Sequence, residues 1–337
     1  MTRYLIARLA QAVVVVFGVV VMTFVIARLI PGDPAVAYAG PKASASELAQ
    51  VRRQFGLDLP WWRQFIDYVG GLFRGDLGVS LHTKQTVMGD LGRVIPASLV
   101  LVSIAMLVAA VVGIGMGVIS ARSQGRVADL LTKVIAILIV SMPVFWLAIL
   151  LQVTFFSRLG WFPVAGSYDA GLDRSSPLYT VIGVPVVDSF LTGNWPVFRS
   201  CVRYLVLPVA ALAAYPTGAV AMVTRGALLD NLGEEHVRMV RALGFPERSV
   251  LGRFALRPSL NPVVSLLALA FAYALTNSFI VESIFNLPGL GSYAMKSIET
   301  VDVPAILGVT LVVALIYLLL NLVVDLVQAM IDPRVRS

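Results

Sequence analysis

The sequence is poor in the residues that most often carry chemistry. It has one cysteine, Cys201, and two histidines, His82 and His236, among 337 residues. A single cysteine excludes a disulfide framework within the chain and a cysteine-based metal cluster, and we interpret Cys201 as a small packed side chain. The two histidines lie in different polar segments, which the topology predicted below places on opposite sides of a membrane. The sequence therefore predicts no catalytic residue, no metal site and no enzymatic activity of its own.

Charged residues are also scarce. They make up 13% of the chain against 58% hydrophobic residues, and the mean hydropathy is +0.86. A globular core could not hide so much apolar surface, so the bilayer is the expected solvent and the chain is an integral membrane protein. The net charge of +7 falls mostly in polar segments between apolar runs, where it orients membrane helices. We therefore expect no nucleic-acid partner.

Two signatures of energy coupling are absent. There is no GxxxxGK[ST] phosphate-binding loop, so this chain does not hydrolyse ATP by that machinery. The apolar runs also lack the central charges with which secondary transporters couple to ions. An ion-gradient-driven secondary transporter or channel acting without an ATPase stays open as the alternative function, as does an integral membrane enzyme.

Six apolar runs are long enough to cross a bilayer. The first could also be a secretory signal peptide, with Ala35-Val36-Ala37 as its cleavage site, but this run exceeds the length of a signal-peptide core. We interpret it as a retained membrane helix. The six runs are residues 9–27, 97–121, 130–156, 204–224, 263–285 and 304–327.

The arginines orient these helices. Placing both termini in the cytoplasm keeps the arginines of the N-terminus, of residues 122–126, of residues 225–257 and of the C-terminus inside. The predicted fold is an all-α membrane protein with six transmembrane helices. Its predicted parts are an N-terminal segment with the first helix (1–30), an extracytoplasmic region (31–95), a core of five helices (96–330) with a cytoplasmic loop (225–262), and a cytoplasmic tail (331–337).

Three local patterns bear on packing. Trp61, Phe65, Tyr68 and Leu72 share one helical face, which predicts packing against neighbouring helices or the headgroup layer, with substrate contact as the alternative. Glycines at 113, 115 and 117 predict close helix contact. Pro143 predicts a kink in the third membrane helix, because proline removes a backbone hydrogen bond.

The cytoplasmic loop 225–262 is the longest inner polar interval. It carries two short helical patterns separated by Gly244-Phe245-Pro246. Acidic residues open the first pattern and arginines follow in its later turns, in accord with the helix dipole. Gly244 suits a left-handed helix terminus, and Pro246 suits the start of the next helix.

The loop sequence EEHVRMVRALGFPERSVLGRFALRPSLNPV resembles the EAA loop of ABC-transporter permeases, and most closely that of the peptide and nickel branch. Three further regions agree with the B-type subunit of that branch. They are IARLIPGDPA at 26–35, FGLDLPWWRQFIDYVGGLFRGDLGVSL at 55–81, and the tail that includes VESIFNLPGLGSYAMKSIETVDVPAILGV and NLVVDLVQAMIDPRVR. The chain thus resembles a dipeptide or oligopeptide permease subunit over nearly its whole length.

This resemblance implies a type I-like ABC importer of the bacterial cytoplasmic (inner) membrane. It implies a second, C-type permease subunit, two ATPase subunits or domains, and an extracytoplasmic substrate-binding protein as partners, besides the lipid bilayer. ATP and Mg²⁺ would be bound by the ATPases, and no cofactor by this chain. The residues implied in ATPase docking are Glu234, Glu235, His236, Val237, Arg238, Met239, Val240, Arg241, Ala242, Leu243, Gly244 and Phe245.

The loop departs from the family pattern. Arg238, Met239 and Val240 occupy the three positions that name the loop, where the peptide branch usually keeps a small residue at the last. Leu243 replaces the usual lysine before Gly244.

Further candidate sites lie in the fifth membrane helix and just beyond it. Glu282, Asn286, Pro288 and Gly289 are predicted to form an outer gate or a contact for the binding protein, with a structural ion pair of Glu282 as the alternative. Asn277 is the pathway candidate. The substrate stays open among dipeptides, oligopeptides, glutathione, nickel chelates and oligosaccharides, because specificity in this branch is set largely by the separate binding protein.

Overall fold

The computed structural model of the protein describes residues 2–29, 33–40, 42–54 and 56–331. Over these residues the regular structure is helical, with one isolated antiparallel bridge between Val79 and Thr86. The all-α prediction is confirmed for this part of the chain. Of the predicted tail 331–337, all but Ile331 lies outside the described residues, as do four positions (31, 32, 41 and 55) of the predicted extracytoplasmic region.

Fifteen α-helices and two π-helical segments make up this described structure. The first seven α-helices are α1 (Thr2–Leu29), α2 (Pro34–Ala39), α3 (Ala45–Gln54), α4 (Trp61–Phe73), α5 (Val87–Arg122), α6 (Val127–Ser141) and α7 (Val144–Leu151), which continues into a π-helical segment (Gln152–Arg158). Next come α8 (Leu172–Ser175), α9 (Pro185–Leu191), α10 (Trp195–Gly233), α11 (Glu235–Ala242) and α12 (Glu247–Ser249), followed by a second π-helical segment (Val250–Leu256). The last three are α13 (Arg257–Phe285), α14 (Leu290–Glu299) and α15 (Val303–Ile331).

Four stretches of the described residues are long and apolar enough to cross a membrane. A fifth is the pair α6 and α7 with its π-helical extension, if the pair is one broken span. The apolar part of α1 described in full is shorter, Val13–Ile26. The four long stretches are Val87–Arg122, Trp195–Gly233, Glu247–Phe285 and Val303–Leu322.

The third predicted span is broken and not merely kinked. Its two halves meet at 106°. Met142 is extended (φ −83°, ψ 127°), and Pro143 is the residue at which α7 begins. Proline has no N–H to continue the ladder of α6, and its ring pushes the preceding residue out of the helical region, so Met142 and Pro143 together end one helix and start another.

Two of the three glycines at 113, 115 and 117 in α5 lie in close contact with α10. A Cβ at Gly117 would lie 2.6 Å from Cβ of Thr224, and a Cβ at Gly113 would lie 2.8 Å from the carbonyl oxygen of Thr217. The packing prediction is confirmed at these two positions. It is wrong for Gly115, which has no atom within 4 Å of a would-be Cβ, because residue 115 lies on a different face of the helix.

The chain divides into two compact units. The first comprises Met1–Ala97 and Pro288–Leu319. Buried Asp302 organises part of this unit, since its Oδ2 accepts hydrogen bonds from Ser80 Oγ (2.5 Å) and from the His82 N–H (3.1 Å). Tyr293 donates to Asp90 Oδ2 at 3.2 Å, and burial together with the carboxylates of Asp90 and Asp302 raises the pKa of Tyr293 above its usual range.

The second unit comprises Ser98–Leu287 and Leu320–Ser337. Its centre is α10, which packs against α6, α7, α9 and α13. Buried small residues along α10, such as Ala211, Ala213 and Ala221, let neighbouring helices approach closely, as is typical of helix packing in membranes. This unit carries the loop that the sequence singles out.

Candidate functional site

The loop between α10 and α13 begins with a sharp change of backbone direction. Glu234 is extended (φ −70°, ψ 149°), and its carbonyl accepts the N–H groups of Val237 and Arg238, both at 3.2 Å. Glu235 stands in the first turn of α11 and Arg241 in the last, where the helix dipole favours each charge. The predicted short helix is confirmed.

One face of α11 is fixed to the helices above it. Val237 and Val240 are buried in a hydrophobic cluster with Leu228 of α10 and Val250 of the π-helical segment. The side chain of Val240 fills part of this cluster. Burial of two valines stabilises the attachment by roughly 3–5 kcal/mol. As a result, α11 moves with α10 and with the segment that leads into α13.

The other face of α11 is exposed and partly apolar. Met239 is 61% exposed, Leu243 is 68% exposed and Phe245 is 45% exposed. Exposed Arg238 stands beside this patch. Clustered exposed apolar side chains with a polar rim are typical of protein interaction surfaces. We call Arg238, Met239, Leu243 and Phe245 the α11 surface.

The turn after α11 depends on Gly244. Its φ is +81°, in the left-handed region, and a Cβ there would meet no atom within 4 Å. Glycine is therefore favoured by backbone conformation and not by lack of space. Phe245 packs edge to face on Phe254, with ring centroids 5.5 Å apart. This contact attaches the residue after Gly244 to the second π-helical segment.

Two polar contacts brace the loop. Arg241 Nε lies 2.6 Å from Glu247 Oε1, which connects α11 to α12, and the hydrogen bond and charge of Glu247 raise the pKa of Arg241. This pair is largely solvent-exposed and contributes little to stability. His236 Nε2 lies 3.3 Å from the carbonyl oxygen of Phe254. Both contacts favour one conformation of the loop.

Two further polar contacts connect the end of α10, where the loop begins, to neighbouring helices, and sequence reasoning missed both. Asp129 in α6 is buried and pairs with Arg225 of α10, with Nε 2.8 Å from Oδ1. Across the loop, Asn231 Nδ2 donates to Ser259 Oγ at 3.0 Å, which joins α10 to α13. Asp129 and Arg225 lie 96 residues apart in the chain. The only available signal was an acidic residue directly before the apolar run 130–156.

The outer candidates divide between the two units. Glu282 is buried in α13, and the helix ends at Asn286, which is left-handed with φ 47° and ψ 48°. Gly289 is extended and precedes α14, so the predicted break of the helix around Pro288 and Gly289 is confirmed. The gate or docking role of these residues stays a prediction.

Asn277 lies in the wall of a cavity of about 190 Å³ in the second unit. The cavity is formed where α6 breaks, beside α10 and α13, and Ser141, Pro143, Tyr215 and Tyr273 also line it. Asn277 Nδ2 donates to the carbonyl of Tyr273 at 2.9 Å. Irregular backbone at membrane depth is tolerated where it is buried in protein or lines a water-filled cavity.

Comparison with known proteins covers the whole chain. The family described as "Binding-protein-dependent transport system inner membrane component" matches residues 113–337, and its N-terminal membrane component matches residues 1–102. A probable D,D-dipeptide transport system permease protein of Escherichia coli is 40% identical over 323 residues, covering 96% of this chain and 94% of that protein. A dipeptide transport system permease protein of Alkalihalophilus pseudofirmus is 35% identical over 336 residues, covering 100% of each.

A third relative, a di/tripeptide transport system permease protein of Pseudomonas aeruginosa, is 34% identical over 337 residues, covering 100% of this chain and 99% of that protein. The two family matches cover most of the chain, and the similarity to these relatives covers 96–100% of it. The chain therefore belongs to the family of binding-protein-dependent transport system inner membrane components and is a membrane permease component of a bacterial transport system.

Proposed function

We propose that this chain is one of two permease subunits of an ATP-driven ABC importer for dipeptides or similar small peptides. The substrate class is that of dipeptide and di/tripeptide permease relatives that are 34–40% identical to this chain. The partners are a second, C-type permease subunit, two ATPase subunits that bind ATP and Mg²⁺, and an extracytoplasmic substrate-binding protein.

The proposed topology has six spans and two cytoplasmic termini. The spans are α1, α5, the broken pair α6 and α7, α10, α13 and α15. The arginines of the loop support this orientation, because short segments rich in arginine stay in the cytoplasm. The region from residue 31 to residue 95 is then extracytoplasmic, and the α11 surface faces the cytoplasmic ATPases.

The α11 surface carries the proposal. The buried face of α11 packs against α10 and the π-helical segment that precedes α13, while Met239 and Leu243 on the other side are exposed. A helix fixed to the spans on one face and open to a partner on the other transmits a push from that partner to the spans. ATP-driven closure of the ATPase pair supplies such a push.

Aspartate at Met239 tests this role. A charge in an apolar contact is costly to desolvate, so Met239→Asp should weaken retention of the ATPase subunits during purification and abolish peptide uptake. Leu159→Asp is the control, since Leu159 is also exposed but lies outside the loop. Normal uptake by the Met239 variant, or uptake driven by an ion gradient without any ATPase, would remove the proposal.

We propose that the cavity beside Asn277 forms part of the translocation pathway in this chain. A polar amide and two tyrosines at a helix break suit the passage of a peptide, whose backbone needs hydrogen-bond partners. Asn277→Leu should raise the KM for peptide uptake while the complex still assembles. An unchanged KM across several peptides would exclude Asn277 from the pathway.

A further inference from the structure

Helix α4 carries two parallel apolar stripes, and two residues of the first stripe pack within the first unit. Phe65 and Tyr68 contact Phe24 of α1, with ring centroids 5.1 Å and 6.2 Å apart. These two residues belong to the stripe Trp61, Phe65, Tyr68 and Leu72. Its predicted packing is confirmed at Phe65 and Tyr68, whereas Trp61 is exposed.

The second stripe lies one residue further along; three of its four residues are exposed and the fourth, Val69, is half-buried. Trp62, Ile66, Val69 and Phe73 follow each other at steps of four, three and four residues, which places them on one helical face. Trp62 and Ile66 are exposed, and Phe73 is 90% exposed. We call these four residues the outer stripe. It is too large and too apolar to be ordinary water-facing surface.

The position of α4 indicates what covers the outer stripe. Phe65 and Tyr68 pack on a small cluster formed by Phe24 of α1 and Leu307 of α15. Phe24 lies near the end of the apolar run of α1, and Leu307 lies near the start of the apolar helix α15. Both membrane helices reach the edge of the hydrocarbon layer at these ends, so α4 lies at the boundary between hydrocarbon and headgroups.

Charge and residue type agree with this position. Beside the outer stripe lie Arg63 and Asp67 of α4 and Arg74 directly after its last residue, all exposed, so arginines stand at both ends of the stripe. The guanidinium of Arg63 lies 5.5 Å from the ring centre of Trp62. Tryptophan prefers the interface between membrane and water, and arginine there pairs with lipid phosphate.

We propose that α4 is an interfacial membrane helix whose outer stripe enters the headgroup layer and whose arginines bind anionic phospholipids. Under the topology proposed above, this is the outer leaflet. The helix then anchors the extracytoplasmic region to the bilayer next to α1 and α15. This role is separate from peptide transport, so its test does not depend on the coupling function of the loop.

Photo-cross-linking tests the proposal in the assembled complex. Benzoylphenylalanine replaces Phe73 in one variant and Phe65 in another, in nanodiscs that contain phosphatidylglycerol and phosphatidylethanolamine. Mass spectrometry identifies the adducts. We expect phospholipid adducts at residue 73 and adducts to α1 of the same chain at residue 65, which serves as the matched control.

Further outcomes decide between lipid and protein as the occupant. The pair Arg63→Gln and Arg74→Gln should lower the share of phosphatidylglycerol adducts at residue 73 by about fivefold, with peptide uptake retained. An adduct at residue 73 to the substrate-binding protein, or to another subunit, would overturn the proposal. So would the absence of lipid adducts there while residue 65 reacts with α1.

Discussion

Arg225 and Asp129 form a two-point ion pair where the loop 225–262 begins. Arg225 Nε lies 2.8 Å from Asp129 Oδ1, and Nη2 lies 3.1 Å from Oδ2. Ser120 Oγ donates to the same carboxylate at 2.5 Å, and Lys133 Nζ lies 2.9 Å from it. One carboxylate thus connects the end of α5, the start of α6 and the C-terminal part of α10.

Asp129→Ala should uncouple the loop from the spans. It leaves Arg225 and Lys133 without their shared counterion and removes the acceptor of Ser120 Oγ. We expect roughly tenfold less peptide uptake, because a partly buried charge loses its partner, and a lower ratio of peptide transported to ATP hydrolysed in proteoliposomes. Asp129→Glu should restore part of the ratio. Asp173→Ala, at an exposed acid of α8, is the control and should leave the ratio unchanged.

Gly244→Val should abolish uptake while membrane insertion continues. A β-branched residue at φ +81° costs about 1–3 kcal/mol, which forces α11 and α12 into another relative orientation. The matched control is Gly226 in α10, which also has free space around a would-be Cβ but no positive φ. Gly226→Ala should be neutral or stabilising. Full uptake by the Gly244 variant would exclude a role for this turn.

Gly117→Ala should destabilise the second unit. The new Cβ would lie 2.6 Å from Cβ of Thr224 and 2.8 Å from the carbonyl oxygen of Ala221, so α5 and α10 must separate, at a cost of about 1–3 kcal/mol. Gly115→Ala, two residues earlier and in open space, should cost nothing. Thermal denaturation of the two variants in the same detergent measures the difference, and equal melting temperatures would contradict the packing described here.

Asp302→Ala should loosen the segment from Gly78 to Thr86. The change leaves Ser80 Oγ and the N–H groups of His82 and Ala305 without their acceptor, and each buried unpaired donor costs about 1–3 kcal/mol. Hydrogen exchange of this segment should accelerate. Asp58→Ala, at an exposed acid of the same unit, is the control. Unchanged protection in the Asp302 variant would show that the segment is held by other contacts.

Glu282→Gln tests the outer gate. The side chain is 1% exposed, so replacing its carboxyl group with an amide changes a buried environment and should reduce the stimulation of ATP hydrolysis by loaded binding protein. If stimulation is normal while thermal stability falls, Glu282 is a structural residue. The measurement uses the assembled complex in lipid, with the unloaded binding protein as its baseline.

Much of the fold could be predicted from the sequence because a helix that crosses the bilayer must be apolar and of a defined length. Apolar runs of about 20 residues indicate membrane helices, and Gly244-Phe245-Pro246 between two helical patterns predicts the two short helices of the loop. The orientation that the arginines indicate stays a prediction. Helix ends were predicted less well. α10 extends from Trp195 to Gly233, beyond the apolar run at 204–224. The backbone hydrogen bonds of a helix do not require apolar side chains, so the helix continues through the polar residues on either side of the run.

In the candidate site, too, the sequence predicted local features but not the contacts between distant residues. The order of residues from Glu234 to Phe245, and the left-handed conformation expected of Gly244, follow from local chemistry that neighbouring residues alone determine. Which face of α11 is buried follows from contacts with Leu228 and Val250, and the partner of Asp129 is 96 residues away. Such choices depend on how distant helices pack, because burial and ion pairing are properties of the assembled chain and not of any one segment.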